Sequence, residues 1–162
     1  MRSPSCLQWA VADMSVIVSE DALNAGTLLS QFEANTKNAG GVVSFSGIVR
    51  GQKGENKVRA LLLQSYSPLT ENGIQAAVED AKQRWPLTSV LVHHRIGEIQ
   101  VGETIVFVAT ASEHRRDAFE AADFLMDYLK TEAVFWKKEI TETAETWIEP
   151  RKEDYQDKLR WN

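Results

Sequence analysis

Three lysines lie among large aromatic side chains in the stretch DYLKTEAVFWKKE, residues 127–139. They are Lys130, Lys137 and Lys138. Burying an ammonium group is costly unless something compensates, so lysines in this setting raise the question of a reactive site. The alternative is ordinary: Lys130 closes a helix, where a cation suits the helix dipole, and the other two are solvated on a strand. Spacing alone favours this solvated interpretation.

A strand after the helix would separate the two later lysines. Alternation places Lys137 on the same face as Phe135 and Glu139. Lys138 then takes the opposite face, so both lysines cannot point into one pocket. A turn between helix and strand would instead bring Lys130 beside Lys137. Two neighbouring ammonium groups lower each other's pKa, which would make one of them a nucleophile or a general acid–base near neutral pH.

A second candidate site is the helix start in SEHRRDAF, residues 112–119. Ser112 is a good N-cap, which places His114 and Arg115 in the first helical turn. Cations are unfavourable there unless an anion joins them, because the helix N-terminus carries partial positive charge. Free backbone N–H groups together with His114 and Arg115 would form a phosphate or carboxylate site. The alternative is that the arginines are solvated and the histidine caps or packs.

Other positions carry weaker signals. Arg50 follows a predicted strand and begins the polar, glycine-containing loop 50–57, a common place for function, although a lone arginine there is more often an ordinary surface residue. His93 and His94 are adjacent in a strand, so one is expected to face the core and one solvent. No zinc, P-loop or dinucleotide motif occurs, and we predict neither a metal nor a cofactor.

The elements that must position these residues follow the order β-α-β-β-α-β-β-α-β-β. A helix is predicted after Ser19, which could cap it, and the other predicted helices cover 67–85 and 112–130. Predicted strands cover 15–18, 42–49, 58–66, 88–97 and 102–112, with two more in the tail. The second and third strands are expected to pair across the loop between them. This mixture, without a run of βαβ repeats, predicts an α+β fold with a mixed or antiparallel sheet and three main helices.

The composition limits the class of protein. A chain of 162 residues predicts one domain, over 15–162, after a flexible extension over 1–14. No apolar run approaches the ~20 residues of a membrane helix and no signal peptide is recognised, so a cytoplasmic location is expected. The net charge of −5 argues against a general nucleic-acid binder, so an anion site requires local clustering of cations. The sole cysteine, Cys6, lies in the extension, which excludes an internal disulfide and a cysteine metal cluster.

Several motifs occur together between about Gly40 and Arg151. They are GGVVSFSGIVRG, then HRIGE, HR, DYLKT and FWK in this order, and finally WIEPR. In this combination the chain resembles the large, catalytic subunit of molybdopterin synthase, the MoaE family. The resemblance implies an α/β hammerhead-like fold and a homodimer that binds a small ubiquitin-like subunit at each end, a heterotetramer. It implies a sulfurtransferase, which uses the C-terminal Gly-Gly thiocarboxylate of that partner to convert cyclic pyranopterin monophosphate into the dithiolene of molybdopterin.

The resemblance also implies roles for individual residues. Lys130 and Lys137 would be the catalytic lysines beside the thiocarboxylate. Three residues would contact the anionic substrate: Arg50, His114 and Arg115. Arg151 would reach the site of the neighbouring subunit. The remaining binding residues would be Ile48, Val49, Lys138 and Glu139.

The cysteine content agrees with this function. A sulfurtransferase that carried sulfur on its own side chain would need a reactive cysteine, and the only one here lies in the extension. Two other functions stay open: a non-catalytic scaffold that binds the tail of a ubiquitin-like protein, and a lysine Schiff-base enzyme acting on a small carbonyl compound. The lysine pair argues against the scaffold.

Overall fold

The computed structural model describes residues 15–51 and 57–162; the predicted extension and most of the loop 50–57 lie outside this range. The described residues form eight strands and four α-helices. In chain order they are β1 (Val16–Ser19), α1 (Ala25–Asn35), β2 (Gly41–Ile48), β3 (Ala60–Ser65), α2 (Leu69–Arg84), β4 (Leu87–Arg95), β5 (Gly97–Gln100), β6 (Thr104–Ser112), α3 (Arg115–Thr131), β7 (Phe135–Ile140), β8 (Glu145–Ile148) and α4 (Lys152–Lys158). A short 3₁₀ helix, Leu159–Trp161, follows α4. None of the helices in the described ranges is both long and apolar enough to cross a membrane.

The first sheet has the strand order β1-β4-β6-β2, with β1 parallel to β4 and the other pairs antiparallel. Its inner strand β6 is buried from Val106 to Ser112, because both of its faces are covered. Val106 and Val108 belong to the main core with α2 and α3. Phe107 and Ala109, on the other face, pack with Phe32 of α1. Alternate side chains of β6 therefore pack into two different hydrophobic cores.

The second sheet has the order β5-β3-β7-β8 and is antiparallel throughout. A small core of Val49, Leu63 and Ile99 lies against it. The chain passes from the first sheet to the second between β4 and β5, where Gly97 adopts a φ of +83°. Glycine tolerates this left-handed conformation without strain. The strand predicted over 88–97 corresponds to β4, and the short strand β5 of the second sheet was not predicted.

The C-terminal segment packs against α3. The buried carboxylate of Asp127 accepts hydrogen bonds from Arg160 Nη2 at 2.8 Å and from Trp161 Nε1 at 2.7 Å. The Trp161 ring makes edge contacts with the rings of Trp85 and Phe124, each at a centroid distance of 5.7 Å. These contacts fix α4 beside the end of α3. This helix is not among the predicted elements.

The predicted α+β class, with mixed and antiparallel sheets, is confirmed. The predicted pairing of the second and third strands is wrong, because β2 pairs with β6 while β3 pairs with β5 and β7. Both predicted N-caps are also wrong. Asn24, not Ser19, caps α1. Ser112 still belongs to β6, where its hydroxyl donates to the Pro86 carbonyl, and His114 takes the N-cap position of α3.

Candidate active site

One cavity collects most of the candidate residues. It has a volume of about 790 Å³ and lies where the end of β2, the C-terminal end of α3, strand β7 and the start of the C-terminal segment meet. We call it the lysine pocket, because Lys130 and Lys137 both line it. Much of its remaining wall is apolar or aromatic and includes Phe45, Ile48, Leu61, Ile105, Val106, Met126, Leu129, Phe135 and Tyr155. An apolar wall with a few charged groups is typical of a small-molecule site.

The turn between α3 and β7 brings the two lysines together. Lys130 lies in the last turn of α3, after which the Ala133 N–H donates to the Tyr128 carbonyl. The Thr70 hydroxyl donates to the Val134 carbonyl at 2.7 Å, which ties the turn to α2. Because the turn is held at both ends, the lysine of β7 is directed into the same cavity as Lys130.

The alternation along β7 decides which of its lysines enters the pocket. The pocket-facing side chains are Phe135, Lys137 and Glu139. Lys138 lies on the opposite face, where its ammonium is 2.9 Å from Glu145 Oε2 and 4.6 Å from the centroid of the Trp147 ring. The side chain of Lys138, predicted as a supporting substrate contact, is therefore engaged outside the pocket.

The ammonium group of Lys137 has an unfavourable environment. Burial, and then the positive charge of Lys130, lower the pKa of Lys137 to about 8. The negative charge of Asp154 acts in the opposite direction. A lysine with this pKa exchanges its proton readily near neutral pH, so it can serve as a general acid or base.

His94 is a pocket residue that the sequence analysis did not assign. Its ring is 3% exposed and stacks on Phe135 at a centroid distance of 4.1 Å. Burial lowers the pKa of His94 to about 4, so the neutral ring donates from Nδ1 to the Arg95 carbonyl, 2.9 Å away, and keeps Nε2 as an acceptor. The signal was present in the alternation of β4, where Val90, Val92 and His94 are the buried positions.

Helix α4 brings a carboxylate to the pocket that the sequence analysis missed. Asp154 is buried, and its two oxygens accept from the backbone N–H of Arg151 at 2.9 Å and from its guanidinium at 3.0 Å. Burial alone would raise the pKa of Asp154, but the hydrogen bonds and charge of Arg151, with the charge of Lys130, hold the pKa below its usual value. Asp154 is therefore ionised at neutral pH.

Comparison with known proteins supplies the family. Residues 18–132 match the sequence profile of the family described as "MoaE protein". This chain belongs to the MoaE family. The molybdopterin synthase catalytic subunit of Escherichia coli (strain K12) is 42% identical over 151 residues, which cover 93% of this chain and 100% of that protein. The predicted function, a molybdopterin synthase catalytic subunit in molybdenum cofactor biosynthesis, is confirmed at this level, and with it the prediction of an enzyme.

Solved structures share the MoaE fold described above. The molybdopterin biosynthesis MoaE protein from Burkholderia ambifaria MC40-6 has a TM-score of 0.76 and 34% identity, and the match covers 92% of this chain and 99% of that chain. A complex of subunits 1 and 2 of the molybdopterin-converting factor from Helicobacter pylori 26695 has a TM-score of 0.72, 24% identity, and coverage of 85% and 92%. At that identity the second match shows the fold alone.

Three predicted binding residues lie around the end of β2, and two of them line the pocket while the third is buried in the core. Ile48 and Arg50 line the lysine pocket. Val49 is 2% exposed, and its backbone N–H and carbonyl both have backbone partners. The side chain of Val49 therefore supports the wall from the core and does not line the pocket.

His114 and Arg115 lie at the opposite end of α3 from Lys130. Both are exposed, and neither lines the lysine pocket. An α-helix rises 1.5 Å for each residue, so about 22 Å separate Arg115 from Lys130 along the helix axis. Within one chain, the predicted anion contacts therefore do not meet in one site: Arg50 lines the pocket, and His114 and Arg115 do not.

Proposed function

We propose that the lysine pocket transfers sulfur from the C-terminal thiocarboxylate of a small ubiquitin-like subunit to cyclic pyranopterin monophosphate, forming the dithiolene of molybdopterin. The observation that supports this proposal is the convergence of Lys130 and Lys137 in one cavity of about 790 Å³. A cavity of this volume lies within the range of small-molecule sites. The chain has one cysteine, Cys6, and none of the described residues that line the pocket is a cysteine, which supports delivery of the sulfur by another molecule.

The proposed sulfur donor is a partner protein with a glycine-ended tail. In the related Helicobacter pylori structure, subunits 1 and 2 of the molybdopterin-converting factor form a complex. We infer an equivalent pairing for this chain, with two copies of the chain and one small subunit at each end. Glycine has no side chain, so a Gly-Gly tail can pass between closely spaced walls and present its thiocarboxylate to the lysines.

The charges of the pocket suit two anionic ligands. A thiocarboxylate and a phosphate are both negative, and Arg50, Lys130 and Lys137 supply positive groups in one cavity. Lys130 is exposed in the last turn of α3, where it can bind the incoming thiocarboxylate. These contacts would hold the sulfur against the reacting carbon of the pterin, and such positioning is a large source of rate acceleration.

Lys137 is suited to the proton transfers. The thiocarboxylate sulfur attacks a carbon of the pterin substrate and displaces an oxygen from it, so that a C–S bond replaces a C–O bond and the partner is attached as a thioester. The displaced oxygen leaves with a proton taken up from water. Water then attacks the thioester carbonyl, which restores the partner's carboxylate and leaves the sulfur on the substrate. In this proposal the free amine of Lys137 accepts the proton of that water, and the ammonium of Lys130 stabilises the developing oxyanion. A second thiocarboxylated partner supplies the second sulfur.

The other predicted contacts take different places in this proposal. Glu139 and Arg151 line the pocket beside the lysines, and Ile48 forms part of its apolar edge. His114 and Arg115 can contact a substrate in the pocket only from a second copy of the chain, because about 22 Å of helix separate Arg115 from Lys130 of the same copy. This agrees with the predicted homodimer.

Reconstitution from purified components tests the proposed function. The chain is incubated with thiocarboxylated small subunit and cyclic pyranopterin monophosphate, and the product is identified by mass. We expect Lys130→Ala and Lys137→Ala each to lower the rate by about 100-fold or more, the effect of losing an acid–base or oxyanion-stabilising group. Lys82→Ala is the matched control, since Lys82 lies on α2 in an exposed pair with Glu79, and it should react like the wild type.

Two results would contradict the mechanism. Wild-type rates in both pocket-lysine variants would exclude the lysines as catalysts. Tight binding of the small subunit without any product from the wild type would favour the scaffold function instead. A carbonyl adduct trapped on Lys130 or Lys137 by borohydride would favour the Schiff-base enzyme.

A further inference from the structure

The carboxylate of Asp154 takes no part in the steps proposed above, although it lines the same cavity as both lysines. Its residue is 8% exposed, and a buried carboxylate is unfavourable unless it is paired. Its hydrogen bonds go to Arg151, whose side chain is 73% exposed. The carboxylate is thus paired with a solvent-exposed arginine and adds a negative charge to a cavity that both lysines line.

We propose that Asp154 is the counter-ion of the Lys130–Lys137 pair and that its charge, acting across the shared cavity, holds Lys137 in the pocket. It is a positioning residue, since it acts through the lysines and not on the substrate. The inference deepens the proposed function, on which it rests for the roles of the two lysines.

The physical reason is the repulsion within the pocket. The ammonium of Lys137 is partly withdrawn from water and is repelled by the charge of Lys130, so without a nearby anion Lys137 would turn outward or lose its proton. The charge of Asp154 raises the pKa of Lys137 against burial and Lys130. The charge of Lys130 in turn lowers the pKa of Asp154. The three groups therefore form one coupled cluster.

The remaining charged and titratable groups of the pocket do not replace Asp154. They are Arg50 after β2, His94 of β4, Glu139 of β7, and Glu149, Arg151 and Tyr155 of the C-terminal segment. The arginines add positive charge, and His94 is neutral at pH 7 because its pKa is about 4. Among the carboxylates, Asp154 is the one whose charge acts on Lys137.

The backbone of α4 fixes this carboxylate in place. Asp154 is the third residue of the helix and forms a capping box with Arg151, whose N–H donates to Asp154 Oδ2. Because the 3₁₀ helix that follows α4 is anchored to Asp127 of α3, the counter-ion is supported on the same helix that carries Lys130.

Chemical labelling of lysine in the full chain tests the proposal without substrate or partner. An amine-reactive anhydride modifies only the free amine, and mass spectrometry of the peptides measures the labelling rate at Lys137. For Asp154→Asn we expect labelling at pH 7 about two- to fivefold faster, with the midpoint of the pH profile shifted to lower pH, because loss of a nearby opposite charge favours the neutral amine. The amide oxygen of the new side chain can still accept the Arg151 N–H.

Glu153→Gln is the matched control. It makes the same charge change in the same helical turn, at an exposed residue that does not line the pocket, and it should label like the wild type. If Asp154→Asn fails to fold, Asp154→Glu and Asp154→Gln are compared, since both residues suit this position of a capping box and they differ in charge. The glutamine variant should then label faster than the glutamate variant.

Equal labelling rates of Lys137 in Asp154→Asn and Glu153→Gln would contradict the proposed role of Asp154. Equal rates in Asp154→Glu and Asp154→Gln would contradict it as well. The sulfur-transfer assay gives a separate answer. If the labelling profile shifts in Asp154→Asn but the wild type transfers no sulfur, the role of Asp154 is supported and the proposed reaction is rejected. If the wild type transfers sulfur but labelling of Lys137 is unchanged in Asp154→Asn, only the proposed role of Asp154 is rejected.

Discussion

At the scale of single residues, Lys137 sets the expected response of the reaction to pH. Burial and the charge of Lys130 lower its pKa to about 8. If its free amine accepts the proton of the attacking water, turnover should increase as the pH rises through about 8 and then level off. His94 titrates near pH 4, far below this window. Rates with saturating partner and substrate, from about pH 6 to about pH 10, measure the profile.

Lys137→Arg is the matched variant for this profile. Arginine keeps the positive charge but stays protonated over the whole range, so it cannot accept a proton. We expect the variant to bind the small subunit and to lose turnover at every pH. A wild-type profile in Lys137→Arg would show that the residue acts only through its charge.

The same lysine should lower the stability of the fold. Its folded-state pKa of about 8 lies below the ordinary value of 10.5, so the unfolded chain binds more protons between these two pH values. Stability from this group therefore rises with pH across that window, and the full penalty applies below pH 8. We expect the inactive variant Lys137→Met to be more stable than the wild type at pH 7, by about 1–2 kcal/mol or a few degrees in Tm.

Thermal melts at neutral and alkaline pH measure the difference in stability between Lys137→Met and the wild type. The advantage of Lys137→Met should shrink as the pH approaches 10.5, because the wild-type lysine then loses its proton in both states. A methionine variant that is less stable than the wild type at pH 7 would contradict the unfavourable environment of the ammonium.

At the scale of elements, α4 can form part of the pocket wall because the segment after it is anchored to α3. The anchor is Asp127, which accepts hydrogen bonds from Arg160 and Trp161. Asp127→Ala would leave both donors without their shared acceptor, and we expect it to lower the free energy of unfolding by about 2–3 kcal/mol. Activity should also fall, because Arg151, Asp154 and Tyr155 of this segment form part of the wall of the lysine pocket.

Asp123→Ala is the matched control for this anchor. Asp123 also pairs with Arg160, at 3.0 Å, but both side chains are about half exposed. Its loss should cost less than about 1 kcal/mol, as for other exposed pairs. Denaturant titration measures both variants, and equal losses of stability would show that Asp127 has no special part in holding the segment.

The sequence is sufficient to predict a feature when the pattern depends only on neighbouring residues of one element. Alternation in β7 correctly directed Lys137 into the pocket and Lys138 to the other face, since a period of two needs only the strand itself. His94 carried the same signal in β4. Helix α4 is short and polar and depends on tertiary contacts such as those of Asp127, so no local pattern indicated it. Asp154 was missed for that reason.

At the scale of the whole molecule, long-range packing decides what local patterns leave open. The neighbours β2 and β3 were expected to form a hairpin, because consecutive strands often pair. Instead β2 completes one sheet beside β6, and β3 lies centrally in the other between β5 and β7. The helix predicted over 112–130 already separates Arg115 from Lys130 by about 22 Å, but the sequence does not show whether one chain or two complete the site.

This separation can be used to test the proposed homodimer. If His114 and Arg115 of one copy complete the lysine pocket of the other, defects in the two regions should complement each other. A mixed dimer of Lys137→Ala and Arg115→Ala contains one site with both defects and one intact site. In a two-fold symmetric dimer we therefore expect the mixed species to show about half of the wild-type activity, although each variant alone is strongly impaired.

Mixed dimers are obtained by co-expression with two different affinity tags and sequential purification on both. The pair Lys130→Ala with Lys137→Ala is the control, because both lysines line the same pocket and every site of that mixed dimer lacks one of them. It should stay inactive. Recovery in the first pair but not in the control would place the anion contacts on the second copy. Absence of recovery in both would mean that each chain completes its own site, which the length of α3 permits only if the substrate is bound without Arg115.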